Sequence, residues 1–365
     1  MSTMRKRSSR RNNTSNTRGG TFTVRILVGL SGGIDSTYAA YKLINEGHEV
    51  EGAVIVMHEY TELDSAREAA QSLGIKLHVI DAVDRFLAVK DNFVNEYSRG
   101  RTPNPCVICN PLVKFRALLD YALEHGFDKI ATGHYATVVT RIEQGRTLYT
   151  LKRARDERKD QTYMLHRLGR DVLSRLVFPL SNEIKDEIKR KSAQIGLSAA
   201  ERKESQEICF IPDNDYAAYI EGIKGTFPEG NFVLEDGSVI GRHKGIVRYT
   251  VGQRKGLGVS YGERIFVNSI NVEKNEIVLS TEGSFTDKVS VSDLVYSGMC
   301  DPKKGEKREA AVKIRYLASP IPASVEFDGE GGAIITLARP ERAVTPGQSA
   351  VIYDGDELLA GGFID

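Results

Sequence analysis

The sequence predicts an α/β protein, a parallel sheet wrapped on both faces by helices, followed by two small β-barrel-like domains. Three observations carry the expectation. From Thr21 to about residue 136, short apolar runs alternate with stretches of helical spacing, each closed by a glycine. Beyond about Ile211 the texture changes to short alternating strands with Gly-Asp turns. The 365 residues leave room for about two or three domains with a real core.

The elements follow in order. "VRILVGL" (24–30) is an apolar run of the buried-strand type. "STYAAYKLINEG" carries Ala40, Leu43 and Ile44 at helical spacing and stops at Gly47. "EVEGAVIVM" (49–57) is the second strand, "ELDSAREAAQSLG" a helix ending at Gly74, and "KLHVIDA" the third strand. "DRFLAVKDNFVNEYSRG" sets Phe86, Leu87, Val89, Phe93, Val94 and Tyr97 on one helix face. "PLVKFRALLDYALEHG" repeats the helical signature, with Pro111 at its expected start and Gly126 at its end. "DKIATGHYA" (128–136) is another strand. Strands alternating with helices predict a parallel sheet. "ATVVTRIEQGRTLYTLKRA" predicts a hairpin turning at Gln144-Gly145, and helical patterns return over 160–196. Later runs such as "NFVLEDGSVIG", "RIFVNSINVEKNEIVLS", "AAVKIRYL" and "GGAIITLA" read as small antiparallel barrels, divided near 281–289. The expected organisation is an arm over 1–20, an α/β domain over 21–211, a central β domain over 212–283 and a C-terminal barrel over 284–365.

Composition narrows the function. A net charge of +1 gives no strong overall field, so any nucleic-acid binding must come from local patches. No apolar run approaches the roughly 20 residues that span a bilayer. Four cysteines in so long a chain make no disulfide framework and suit a reducing, cytoplasmic location. In residues 1–20, Arg5, Lys6, Arg7, Arg10, Arg11 and Arg18 are unopposed by acid, and apolar residues are nearly absent. That composition predicts a disordered basic arm, without the apolar stretch of a secretory signal.

Two segments carry chemistry. In "LVGLSGGIDST" a strand gives way to a helix through Ser31, Gly32 and Gly33. Glycine lets the backbone approach a ligand closely, and the helix start offers free N–H groups, which together make a phosphate site. The lysine of the Walker loop is absent, and the dinucleotide-binding glycine spacing fails. An ordinary turn capped by Asp35 or Ser36 is the competing expectation. In "TPNPCVICN" (102–110), Cys106 and Cys109 stand three apart. That spacing alone suits a metal clip, a redox pair or a nucleophile with a helper.

"SGGIDS" after an apolar strand resembles the pyrophosphatase (PP) loop of ATP-adenylating α/β enzymes. "GRTPNPCVICNPLVKF", "ATGHYA", "KDQTYML", "ESQEICFI", "YTVGQRKGLG" and "VTPGQSAV" then follow in the order and spacing of the tRNA-specific 2-thiouridylases. The resemblance runs from about residue 24 to the end. It implies an adenine-nucleotide α-hydrolase-like domain over 21–211 that binds ATP and Mg²⁺, with two β domains after it. The implied reaction adenylates the 2-carbonyl oxygen of a wobble uridine and then replaces the adenylate with sulfur. A carbonyl oxygen is a poor leaving group, and adenylation converts it into AMP, a stable anion.

The resemblance also implies roles. Gly29, Leu30, Ser31, Gly32, Gly33, Asp35, Ser36, Met57, Gly133 and His134 would bind ATP. Asp35 is also a candidate for indirect metal contact. Cys109, ahead of a helix beginning near Pro111, and Cys209 of "EICF" would be the catalytic thiols. Cys106 departs from the family, which usually has an acid–base Asp there. Two readings stay open: Cys106, Cys109 and Cys209 hold a [4Fe–4S] cluster with one open iron, or Cys106 is a redox neighbour of Cys109 in persulfide chemistry. Cys300 has no motif around it and is expected to be structural.

Lys159, Asp160, Gln161, Gln253, Arg254, Lys255, Arg315 and Tyr316 would contact tRNA of the Lys, Glu or Gln type. Basic clusters at 151–161 and 185–191 suit that partner. A cysteine desulfurase or sulfur-relay protein would supply the sulfur. Two other readings compete: a nitrogen-transferring relative with no role for the cysteines, and a non-catalytic tRNA-binding scaffold with a relic loop.

Overall fold

A computed structural model describes residues 23–197 and 208–365. The basic arm expected over 1–20, and Glu204–Glu207 of the "ESQEICFI" segment, lie outside the described residues. The first domain is built on a five-stranded sheet. Strands β1 (Arg25–Gly29), β2 (Glu49–Val56), β3 (Leu77–Asp81) and β4 (Lys129–Thr132) lie in the order β3-β2-β1-β4, with the short strand Leu176–Val177 beyond β4. All neighbours are parallel. Helices α1 (Ile34–Asn45), α2 (Leu63–Leu73) and α3 (Val83–Ser98) make the crossovers. The chain winds outward from β1 through β2 to β3, then returns to β4 on the other flank of β1. The carboxyl ends of β1 and β4 therefore open a crevice at a topological switch point, where open α/β sheets bind ligands.

The glycine stops hold. Gly74 takes φ +66 just past α2, and Gly126 takes φ +71 before β4. Three details differ from the sequence expectation. Leu87 lies outside the buried face of α3, half exposed, while Phe86, Val89, Phe93, Val94 and Tyr97 are buried. Strand β4 stops at Thr132, because Gly133 is pressed against the first turn of α1: a Cβ there would sit 2.6 Å from the backbone of Asp35 and Ser36. Pro111 does not start a helix. The helical run begins at Pro105, as α4 (Pro105–Cys109), passes through a π-turn (Asn110–Lys114) and continues as α5 (Phe115–Glu124). Proline has no N–H for an i→i−4 bond, and the wider turn absorbs the break.

The hairpin β5 (Thr137–Glu143) and β6 (Arg146–Lys152) turns at Gln144 and Gly145, both with positive φ. Its far end belongs to another domain. Strand β6 joins a sheet whose other members are Phe285–Tyr296, Lys307–Lys313, Ile321–Phe327, Ala333–Arg342, Ser349–Asp354 and Glu357–Ile364. The first and last of these pair, so six strands close into a barrel around a core of Val289, Val325, Ile335, Ile352 and Ala360. Closure removes free sheet edges. Arg141 of the hairpin bonds Asp354 and Glu357 and fastens the first domain to this barrel.

Between them lies a four-stranded sheet over Gly230–Ser280. It is not wholly antiparallel, since Gly230–Leu234 and Glu276–Ser280 pair in parallel. A long connection carrying the "YTVGQRKGLG" segment separates these strands in sequence, and that length permits the crossover. One continuous apolar cluster runs from Phe86 and Phe115 of the first domain to Phe232 and Val267 of this sheet and on to Val351 and Tyr353 of the barrel.

Candidate active site

The phosphate loop is made by backbone. Gly32 takes φ +79, and a Cβ there would lie 2.3 Å from the Ser65 carbonyl group, so no other residue fits without displacing α2. Gly33 is the N-cap of α1, and no side chain caps that helix. Neither Asp35 nor Ser36 takes the capping role considered from sequence. The Ser36 hydroxyl instead accepts from Ser31 N–H at 3.2 Å and donates to the Gly33 carbonyl at 3.0 Å, tying the loop into a ring. The Asp35 carboxylate accepts from the Tyr135 hydroxyl and the buried Lys185 ammonium, each at 2.6 Å. It is thus engaged by protein groups. A Mg²⁺ here fits as an ion arriving on nucleotide phosphates rather than one gripped by Asp35.

The second wall follows β4. Gly133 abuts α1, and His134 beside it hydrogen-bonds Thr132 Oγ1 through Nδ1 at 2.9 Å. Its ring packs on Phe115 and Phe178. Burial, with the nearby Lys114 charge, pushes the His134 pKa down to about 3. The imidazole is therefore neutral at physiological pH, able to bond a phosphate oxygen or a base but not to add charge.

The third wall is the thiol segment. Asn104 caps α4, its Oδ1 accepting from Cys106 N–H at 3.2 Å, so Cys106 sits exposed in the first turn. Cys109 is inside the helical run, not ahead of it as the sequence suggested. It is buried, and its sulfur lies 3.7 Å from the Met57 sulfur at the end of β2. Burial, opposed by Lys114, pushes the Cys109 thiol up to about 11. Cys209 is exposed, and burial of its sulfur raises it less far. The three thiols act on one another and on Lys114, so the fold gathers Cys106, Cys109 and Cys209 about one point. Among the described residues no group of three or more His, Cys, Asp or Glu is arranged to hold a metal ion. Cys109 is buried against Met57, while Cys106 and Cys209 are exposed.

Lys114 is absent from the candidates read from sequence. Its signal lay in "CNPLVKF": a lysine five residues after the cysteine, with a proline between them.

The barrel clasps the loop ahead of the thiols. Gln348 Nε2 donates to the Thr102 carbonyl at 2.8 Å, and Thr102 N–H donates to the Pro346 carbonyl at 2.8 Å. Arg101 bonds the Ile364 carbonyl at 3.0 Å. The expected RNA-contacting residues divide. Asp160 is buried and accepts from Ala154 N–H and the Thr162 hydroxyl, so it anchors its loop rather than offering a surface. The Gln161 side-chain Oε1 accepts from Tyr135 N–H at 2.9 Å. Gln253 braces its own turn through Thr250 and Lys255, leaving Arg254 and Lys255 exposed. Arg315 pairs with Glu341. Tyr316 is half-buried, and burial raises its phenol pKa, with Asp160, Lys159 and Cys106 acting on it from nearby. The barrel thus reaches the rim of the thiol site.

Three family models match in succession: a tRNA methyl transferase HUP domain over 24–213, a tRNA methyl transferase PRC-barrel domain over 219–281 and an aminomethyltransferase beta-barrel domain over 286–364. These define an adenine-nucleotide-type α/β enzyme with two β domains attached. The tRNA-specific 2-thiouridylase MnmA of Carboxydothermus hydrogenoformans is 41% identical over 359 residues, 93% of this chain and 97% of its own. MnmA 1 of Clostridium botulinum is 41% identical over 361 residues, 93% of this chain and 99% of its own. The chain belongs to the tRNA-specific 2-thiouridylase family. A solved U34-tRNA thiolase from Methanococcus maripaludis with its [4Fe–4S] cluster is a looser likeness, with TM-score 0.33 and 19% identity over 55% of this chain and 68% of the other. Nothing about the thiols follows from a match that loose.

Proposed function

We propose that the protein is a tRNA uridine 2-sulfurtransferase, using ATP to adenylate the 2-carbonyl oxygen of a wobble uridine and then exchanging that oxygen for sulfur. The observation that carries this reading is the 3.7 Å contact between the Cys109 and Met57 sulfurs. It joins the thiol segment to the strand end that neighbours the phosphate loop, so one base can meet both chemistries. The words "methyl transferase" in the family descriptions do not fit this site. A loop shaped for phosphate beside gathered thiols suits adenylation and sulfur transfer, and the full-length relatives are named for thiolation.

In this reading Ser31, Gly32, Gly33 and Ser36 hold the pyrophosphate, with Gly29, Leu30, Met57, Gly133 and His134 around the rest of ATP. Mg²⁺ would neutralise phosphate charge when bound. Cys209, exposed, accepts sulfur from an external desulfurase or relay protein, and Cys109, buried, works against it. One cysteine carries a persulfide whose outer sulfur attacks C2 of the uridine, and AMP leaves. The other thiolate then attacks the inner sulfur, releasing 2-thiouridine and leaving a Cys109–Cys209 disulfide for a thiol reductant. This route needs two thiols and no cluster. Cys106, in the family's acid–base position, is the exposed third thiol. The α/β catalytic domain spans 21–211, with the β domains 212–283 and 284–365 closing over the tRNA. Arg254 and Lys255 are exposed cations suited to its phosphates, with the partly buried Lys159 nearer the loop that Asp160 anchors.

Nucleoside analysis tests the reading. Wobble-uridine tRNA treated with the protein, ATP, Mg²⁺ and a persulfide source should gain 2-thiouridine, with tRNA-dependent pyrophosphate release. ATP cleavage that proceeds without tRNA, or modified tRNA lacking sulfur, would sink it.

A further inference from the structure

The π-turn Asn110–Lys114 joins the thiol segment to the His134 wall. Phe115 N–H closes it by donating to the Asn110 carbonyl, five residues back. A five-residue closure winds less per residue than an α-turn, so the residue five on returns beneath the one it left. Lys114, five residues on from Cys109, accordingly lies in the turn beneath it. Phe115, next in the chain, packs on His134, and Gly133 before it abuts the first turn of α1. Lys114 thus stands where the thiols, the β4 wall and the approach to the phosphate loop meet.

Among the described residues, no anion surrounds it. The charge of the partly buried Lys114 acts on Cys106, Cys109 and Cys209 and on His134 and His58. None of these is a carboxylate, and no ion pair of the described residues includes Lys114. Burial pushes the imidazoles of His134 and His58 down and the Cys109 and Cys209 thiols up, towards their neutral forms. Lys114 does not ionise Cys109, since burial prevails there. A cation held from water without a counter-ion is costly. The arrangement is completed when a ligand brings the negative charge.

We propose that Lys114 receives the phosphate of the activated uridine as AMP departs. The assignment rests on the thiolation reading above. The attacking sulfur bonds to C2, the C2–O bond breaks, and its electron pair stays on the oxygen of AMP. AMP leaves with one more negative charge than the adenylate carried. A fixed cation at that oxygen stabilises the transition state more than the adenylate, because the charge is still growing.

Lys114→Met and Lys114→Arg would be compared with the parent protein in single turnovers, using tRNA, ATP labelled in the α-phosphate, Mg²⁺ and a persulfide source. Lys114→Met should release pyrophosphate in its first turnover at near the parent rate. It should form 2-thiouridine about 100-fold more slowly, the usual loss for one such group. Labelled AMP should accumulate on the tRNA, and Lys114→Arg should recover much of the rate. Rates of Cys109 alkylation against pH should keep the parent midpoint. Three outcomes overturn the assignment alone: parent-like thiolation, loss of pyrophosphate release together with thiolation, or an upward shift of the Cys109 midpoint, which would make Lys114 the partner of the thiol. Should Lys114→Met fail to fold, Lys114→Gln carries the same comparison. A parent protein that releases no tRNA-dependent pyrophosphate overturns the thiolation reading and this assignment with it.

Discussion

The phosphate loop and the thiol segment face one crevice, yet they are built by opposite means. The loop is mostly backbone: a glycine with positive φ, an uncapped helix start and a ring of hydrogen bonds closed by the Ser36 hydroxyl. The thiol segment is side chains, placed by a π-turn and clasped by a barrel that begins far along the sequence. The loop is therefore ready for an anion as it stands. Burial pushes the Cys109 and Cys209 thiols up, beside a lysine that pairs with no carboxylate among the described residues. A binding site can be stored in local geometry. A reactive site needs groups whose charge states are set by what packs over them.

The comparison breaks first at the thiols. Replacing Cys109 or Cys209 with Ser should reduce 2-thiouridine formation by roughly 10³-fold or more while tRNA-dependent pyrophosphate release persists. Loss of both activities together would mean that the two halves are not separable. Next comes ionisation. With the Cys109 thiol pushed up to about 11, its thiolate fraction, and so its alkylation rate, should climb about tenfold per pH unit from pH 7 towards that value. Mass mapping of the alkylated sites should find exposed Cys106 modified well before Cys109. A midpoint near 8.5 for Cys109 would contradict the burial described here.

The loop makes the third prediction. Gly32→Ala should cost about 2–4 kcal/mol by thermal or denaturant unfolding, since its Cβ strikes the Ser65 backbone. Gly47→Ala, also at positive φ but with open space around it, should cost about 1 kcal/mol. Equal costs would show that the crowding at Gly32 is not what holds the loop. A smaller effect is expected at the rim. Removing the exposed Arg254 or Lys255 should weaken tRNA binding and lower the slope of log affinity against log salt by about 1 each. An unchanged slope would remove these residues from the interface. Smallest is Gln348→Ala, which deletes one hydrogen bond to the Thr102 carbonyl and should cost about 1 kcal/mol of stability. A loss of several kcal/mol would make the clasp a keystone rather than a brace.

What could be read from sequence follows from locality. Apolar spacing and glycine stops placed the strands and helices of the first domain to within a few residues, and "SGGIDS" marked the glycine turn from β1 into α1, because those signals are carried by neighbours in the chain. The errors have the opposite origin. Pro111 reads locally as a helix start, but the run continues through it as a π-turn packed against the core, so Cys109 lies inside a helix instead of at its electropositive end. Asp160 reads as a charge for RNA, but packing turns it inward onto Ala154 and Thr162. The hairpin was visible, whereas its union with the barrel sheet was not, since Lys152 and Glu357 are brought together only by the folded chain.

By itself, then, the sequence determined the order of the elements, the phosphate loop and the identity of the three thiols, all properties of residues or of their near neighbours. Tertiary structure alone decided that the thiols lie near one another, that burial keeps Cys109 protonated, and that Lys114 stands beside them with no carboxylate partner among the described residues. Burial and electrostatic environment are sums over atoms distant in the chain, and no local pattern encodes such a sum.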